Sequence, residues 1–173
     1  ETYKVINPAT EEVLGEASKA TPEDVEMALQ SAKKGLQIWK KTPPWQRSYI
    51  IRRIADKMRE KQDVLAKWMT LEVGKPFAEA KGEVVGAADI FEWNAEETKR
   101  IYGQTVESRF EDTRVHVYYQ PVGVVAALSP WNFPLVLSAR KISTALAAGC
   151  SVIIKPDVIC LLYTSDAADE EDS

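Results

Sequence analysis

Histidine is almost missing from this chain: His116 is the only one among 173 residues. A histidine-based metal centre is therefore not expected. Cysteine is scarce too, since Cys150 and Cys160 stand alone. Two are too few for a disulfide scaffold and lack the paired spacing of a metal cluster, which points to a reducing compartment and no metal. No apolar run approaches the ~20 residues that cross a bilayer, and the opening "ETYKVINPAT" has neither the basic nor the apolar region of a secretory signal. A soluble cytoplasmic protein with no membrane partner is the expectation. A large excess of one charge is lacking as well. The formal charge is -4, and the closing "SDAADEEDS" holds five acids (Asp166, Asp169, Glu170, Glu171 and Asp172) with no base; leaving them out takes the charge to +1. A near-neutral body has no concentrated basic face, so nucleic acid is not an expected partner. GxGxxG, the dinucleotide fingerprint, is absent from the chain.

What is there is a globular composition. With 45% hydrophobic residues the chain can bury a core, and its length suits one domain or parts of two. "TYKVI" and "EVLGEAS" read as a hairpin around the turn signal "NPATE". Thr21 and Pro22 then open a helix whose apolar positions are Val25, Ala28, Leu29, Ala32, Leu36 and Trp39, ending before Pro43 and Pro44. A second helix is expected from about Gln46 to Val73, with Ile51, Ile54, Met58, Leu65 and Trp68 on one stripe and Gly74 as its stop. A third opens at Pro76, carries Phe77, Ala80, Val84, Ala88, Phe91, Ala95 and Tyr102, and ends at Gly103. These stripes read as core packing, not as a cofactor box.

After Gly103 the texture changes. "TRVHVYYQ" sets Val115, Val117 and Tyr119 against Arg114, His116 and Tyr118, the alternation of a sheet with one open face, with His116 on the polar side. "VGVVAAL" follows as a continuous apolar run, expected of a strand buried on both faces. Pro134 opens a helix with Leu135, Leu137, Ile142 and Leu146, Gly149 closes it, and "SVIIKP" reads as a second buried strand. That is a βαβ unit, whose strands run parallel and end on the same side. Open α/β sheets bind ligands beyond those ends. Ser129, Pro130, Trp131 and Asn132 follow the first strand and Lys155 ends the second. The two strands stand ~5 Å apart if they are neighbours and ~10 Å apart with one strand between them, so in either case Asn132 and Lys155 can face one small molecule. Asparagine is also a preferred helix N-cap, and Asn132 precedes the helix at Pro134, so capping is an open reading of the same residue.

"PVGVVAALSPWNFPLVLSARKISTALAAGCSVIIKP" resembles the start of the cofactor domain of the aldehyde dehydrogenase superfamily, and "TLEVGKP", "EWNAEETKRIYG" and "NPATEEVLGE" extend the likeness over residues 1 to about 156. "AEETKRIYG" with "SARK" most resembles the NAD(P)-dependent succinate-semialdehyde dehydrogenases. The resemblance implies oxidation of an aldehyde to a carboxylic acid with NAD or NADP, through addition of a cysteine thiolate. It makes Asn132 the amide that donates to the tetrahedral oxygen. Lys155 would bond the adenosine ribose, and Ser129, Pro130 and Trp131 would line the cofactor. Arg140 would reach a substrate carboxylate, a task that suits its planar fork of donors, although a solvent-facing helical arginine or a lysine snorkelling from a strand end accounts for either cation as well.

The fold class implied is α/β: N-terminal hairpin and helices leading into the first βαβ unit of a Rossmann-like parallel sheet, plus an antiparallel strand region of the kind that joins subunits. The expected division is 1–104 for hairpin and helices, 105–121 for the oligomerisation-type strands, 122–156 for the βαβ unit, and 157–173 for a tail foreign to the native protein. The family's nucleophile, general-base glutamate and glycine turn lie downstream of the matched segment. Cys150 sits where packing is the usual role of a thiol. The expectation is an inactive N-terminal fragment of a homo-oligomeric enzyme. A non-catalytic nucleotide-binding or interaction protein, or a dehydrogenase of different aldehyde specificity, are the alternatives.

Overall fold

A computed structural model describes residues 1–159 of the chain. The expected hairpin forms from β1 (Thr2–Ile6) and β2 (Val13–Ser18), antiparallel. Asn7 holds its turn, accepting the Ala9 N–H at 2.9 Å on its side chain. Helix α1 (Pro22–Trp39) begins with a capping box. Thr21 Oγ1 accepts the Asp24 N–H, and the Asp24 carboxylate accepts the Thr21 N–H at 2.8 Å. That second bond holds the Asp24 carboxyl below its usual range.

The expected helix 46–73 is two helices, α2 (Pro44–Glu60) and α3 (Gln62–Val73). Lys61, at φ -97 and ψ 15, interrupts it. The break has a packing reason. Ile51, Ala55 and Met58 of α2 and Leu65, Ala66 and Met69 of α3 all join the core packed around α4 (Phe77–Thr98), and two rods at an angle meet that helix better than one straight stripe. Gly74 caps α3 in the left-handed conformation at φ 73, as expected of a glycine stop. Helix α4 stops at Thr98, short of Gly103, so Tyr102 is not part of its apolar face and is 69% exposed. Phe77, at its other end, is also exposed.

The remaining strands form two pairs. β3 (Gln104–Glu107) and β4 (Arg114–Val117) are antiparallel, and every residue of both is exposed. The expected single open face is therefore two open faces, because no helix covers this ladder among the described residues. β5 (Val124–Leu128), α5 (Pro134–Ala147) and β6 (Ser151–Lys155) make the expected parallel βαβ unit, in register from Val124↔Ser151 to Leu128↔Lys155. β5 is not buried on both faces: only Ala127 is fully buried. Among the described residues β6 is its one strand neighbour, which leaves the other edge open.

The core is helical. It runs along the seam of α2, α4 and α5, where Ala80, Val84, Ala87, Ala88 and Ala95 meet Ala139 and Ala147. Small side chains let α4 and α5 approach closely, and Asn94 Nδ2 bonds Ser143 Oγ across the seam at 3.0 Å. Trp39 of α1 ties down the far end of α5, donating Nε1–H to the Leu146 carbonyl at 2.9 Å. No described helix is long and apolar enough to cross a membrane. The residues expected to be a foreign tail begin at 157. Asp157 to Ile159 form a turn, with Val158 and Ile159 exposed, and Leu161 and Tyr163 lie outside the described residues.

Candidate functional site

Parallel pairing in register brings the carboxyl ends of β5 and β6 to one edge. The Ser129 N–H, one residue past β5, donates to the Lys155 carbonyl at 3.2 Å. The Lys155 side chain is exposed at that edge. Ser129 is 7% exposed, and its Oγ is a buried polar atom with no hydrogen-bond partner. Such orphans are rare in folded proteins, so this hydroxyl marks an edge whose polar complement is incomplete. Pro130, Trp131 and Asn132 continue it, all exposed. Lys141 reaches back from α5 and donates to the Leu128 carbonyl at 2.6 Å, closing the strand end.

Asn132 is not the helix cap. The cap position belongs to Phe133, at φ -135 and ψ 68, with no side-chain cap bond. Capping comes from another helix: Glu83 of α4 accepts the Leu135 N–H at 3.0 Å and the Val136 N–H at 3.2 Å on one carboxylate oxygen. The other oxygen pairs with Lys75, whose ammonium also donates to the Asn132 backbone carbonyl at 3.0 Å and lies 4.0 Å from the centre of the Phe133 ring. Glu83 thus accepts the N–H groups that a capping side chain would take, and Lys75 holds the Asn132 carbonyl.

A cleft of about 570 Å³ opens beside this loop, lined by Phe133, Val136, Leu137 and Arg140 on one side and by Lys75, Glu79, Gly82 and Glu83 on the other. Val136 and Arg140, one turn apart on α5, both line the cleft. Arg140 itself is exposed. Of the residues lining the cleft, sequence reasoning named Arg140 as a site candidate. Lys75, Glu83 and Lys141 were missed. The signal for Glu83 is a carboxylate inside an apolar stripe, at the position between Ala80 and Ala87 where Val84 also points inward. Cys150 is 2% exposed and gives no reactive thiol. His116 lies on β4, hydrogen-bonded to Thr105 on the exposed ladder. No group of described residues could hold a metal ion.

Residues 1–164 match the sequence profile of the aldehyde dehydrogenase family. The chain belongs to that family. Among its curated relatives, the glutarate-semialdehyde dehydrogenase of Pseudomonas putida is 48% identical over 156 residues, 90% of this chain and 32% of the relative. The succinate-semialdehyde dehydrogenase of Escherichia coli whose name carries NADP(+) is 46% identical over the same shares. An aldehyde dehydrogenase structure from Brucella melitensis biovar abortus superposes with a TM-score of 0.96 at 40% identity, covering 98% of this chain and 35% of that one. Betaine aldehyde dehydrogenase from Staphylococcus aureus in complex with NAD+ superposes at 0.94 with 34% identity, covering 97% of this chain and 34% of that one. The chain spans about a third of the length of the aldehyde dehydrogenases it matches. Mixed helices and small sheets, one of them the parallel β5–β6 pair, are thus the aldehyde dehydrogenase fold over this span. The strand edge fits the dinucleotide an aldehyde dehydrogenase uses: an exposed ammonium, an orphaned hydroxyl and an exposed indole are the donors and stacking surface a nucleoside needs.

Proposed function

We propose that this chain is the N-terminal part of an NAD(P)-dependent dehydrogenase that oxidises succinate semialdehyde to the dicarboxylic acid. The observation that carries the reading is the cleft, with apolar walls from Phe133, Val136 and Leu137 and with Arg140 in its lining, beside the loop on which Asn132 immediately precedes Phe133. An aldehyde with a carboxylate a few carbons away matches that arrangement. Asn132 donates its amide N–H to the oxygen as the carbonyl becomes tetrahedral and negative. A neutral donor fixed in place stabilises that charge without ionising. Arg140 binds the distal carboxylate through paired N–H donors, which sets the substrate's reach along the cleft. The one cysteine among the described residues is buried, so the attacking thiolate comes from outside them. Lys155, Ser129, Pro130 and Trp131 would hold the NAD(P) nucleotide at the strand edge, and the cofactor would supply the hydride acceptor. Either NAD or NADP suits these donors. The two-stranded β3–β4 ladder, with Val106, Val115 and Val117 exposed and its edges open, supports assembly into a homo-oligomer through residues 105–121.

The test is Arg140→Ala and Asn132→Ala in the full-length enzyme. A charge-assisted bond contributes ~1.5–3 kcal/mol, so Arg140→Ala lowers kcat/KM for succinate semialdehyde roughly 10- to 150-fold while butanal is little affected. Equal losses on both aldehydes would remove the assignment of Arg140 and of the acidic substrate. Asn132→Ala lowers kcat about 10²- to 10³-fold on both. An unchanged kcat would show that the amide does not touch the reacting oxygen.

A further inference from the structure

We infer that Lys75 and Glu83 are positioning residues for the Asn132 amide, holding the loop that carries it from both sides. The inference rests on the functional reading of Asn132 given above and adds two residues to it. Both side chains are withdrawn from solvent, at 10% exposure for Lys75 and 2% for Glu83. Each makes two contacts to the same five-residue stretch. Glu83 pins the Leu135 and Val136 N–H groups, which fixes where α5 begins. Lys75 pins the carbonyl of Asn132 itself and packs on the ring of Phe133. The ion pair between them couples the two anchors. Fixing the carbonyl of Asn132 fixes its peptide plane and therefore the direction in which its side chain leaves the backbone.

The device has a rigid base. Gly74 ends α3 in the left-handed region, and Pro76 caps the start of α4, so Lys75 is held between two helix ends within the span of a single residue. An oxyanion donor must be held to within ~0.5 Å, and a displacement of ~1 Å costs on the order of 10² in rate. Phe133, at the cap position, makes no side-chain cap bond, so the first N–H groups of α5 take their anchor from Glu83.

The rival role for Lys75 is direct contact with the substrate's carboxylate, since it also lines the cleft. A double-mutant cycle separates the two. In the full-length enzyme, kcat is measured on butanal and on succinate semialdehyde for Lys75→Met, Glu83→Gln, Asn132→Ala and the two double variants with Asn132→Ala. The positioning role expects Lys75→Met to lower kcat on the neutral aldehyde about ten- to a hundredfold, and to have less than ~3-fold effect once Asn132 is alanine. Lys75→Arg, which keeps the charge and a donor, should recover part of the loss. Equal losses in both Asn132 backgrounds, or a loss confined to the anionic aldehyde, would overturn the inference. Should Lys75→Met fail to fold, Glu83→Gln, which keeps shape and an acceptor oxygen, passes through the same cycle with the same criteria. If instead Asn132→Ala retains wild-type kcat, the functional reading itself falls, and this inference with it.

Discussion

Replacing Gly149 by alanine should destabilise the βαβ unit by a calculable amount. Gly149 sits between α5 and β6 at φ +87, a left-handed conformation that costs an L-residue ~1–2 kcal/mol. An added Cβ would lie 2.9 Å from Pro121 Cγ, 3.5 Å from the Arg47 Nη1 and 3.6 Å from its Cζ. None of these can retreat easily. Pro121 is a ring, and Arg47 is buried, with Nη1 donating to the Thr42 carbonyl at 2.7 Å and its Nε already without a partner. Overpacking of this kind costs ~1–3 kcal/mol, for a total of about 2–5 kcal/mol. At ~2–4 °C per kcal/mol, thermal unfolding followed by circular dichroism should shift down by roughly 4–20 °C. Gly35→Ala is the control with the opposite sign. It lies inside α1 with nothing within 4 Å of the added carbon, so it should stabilise by ~0.5–1 kcal/mol. A Gly149→Ala protein that melts within ~1 °C of wild type, or below-wild-type melting of Gly35→Ala, would refute the steric reasoning.

Other expectations follow from the helical seam. Ile51 is fully buried between α2 and α4, so Ile51→Ala should cost ~2–5 kcal/mol in chemical denaturation, and a cost under ~1 kcal/mol would show that the seam collapses around the void. Across that seam Arg59 and Arg52 hold the Glu92 carboxyl below its usual range, and Lys99 and Arg52 do the same for Glu96. A depressed carboxyl pKa gives stability that is complete above the unfolded value of about 4.3 and is lost as pH falls below it. The melting-temperature gap between wild type and Arg52→Met should therefore be present at neutral pH and shrink on acidification below that value; an equal gap at both ends would show that Arg52 acts by packing alone. At high salt the neutral-pH gap should narrow as well, because these pairs are partly exposed.

Much of this was legible because the relevant signals are local. Thr21 with Pro22 specifies a helix start by its own side-chain bond, and Gly74 a stop by its own backbone conformation. The βαβ unit shows in an apolar run, a proline, an amphipathic stretch and a second apolar run in order, and the amide at Asn132 is named by the stretch that surrounds it. The errors share one cause. The single helix 46–73, the half-open strand over 113–120 and the doubly buried β5 are expectations of periodicity, which reports which residues are apolar but not what packs against them. Lys61 breaks the helix because α4 offers one surface to two rods, and no property of Lys61 announces that.

The candidate site divides along the same line. Sequence by itself determined the family and the parallel strand pair, and it singled out Asn132, Arg140 and Lys155 as candidates because each stands in a contiguous motif. Only the tertiary structure decided what caps α5 in place of Asn132. Its capping duty passes to Glu83, which is 49 residues earlier in the chain, and its carbonyl is held by Lys75, 57 residues away. Those partners meet only because α4 packs its small-residue face on α5, and a hydrogen bond formed by packing leaves no periodic trace in the sequence of either helix.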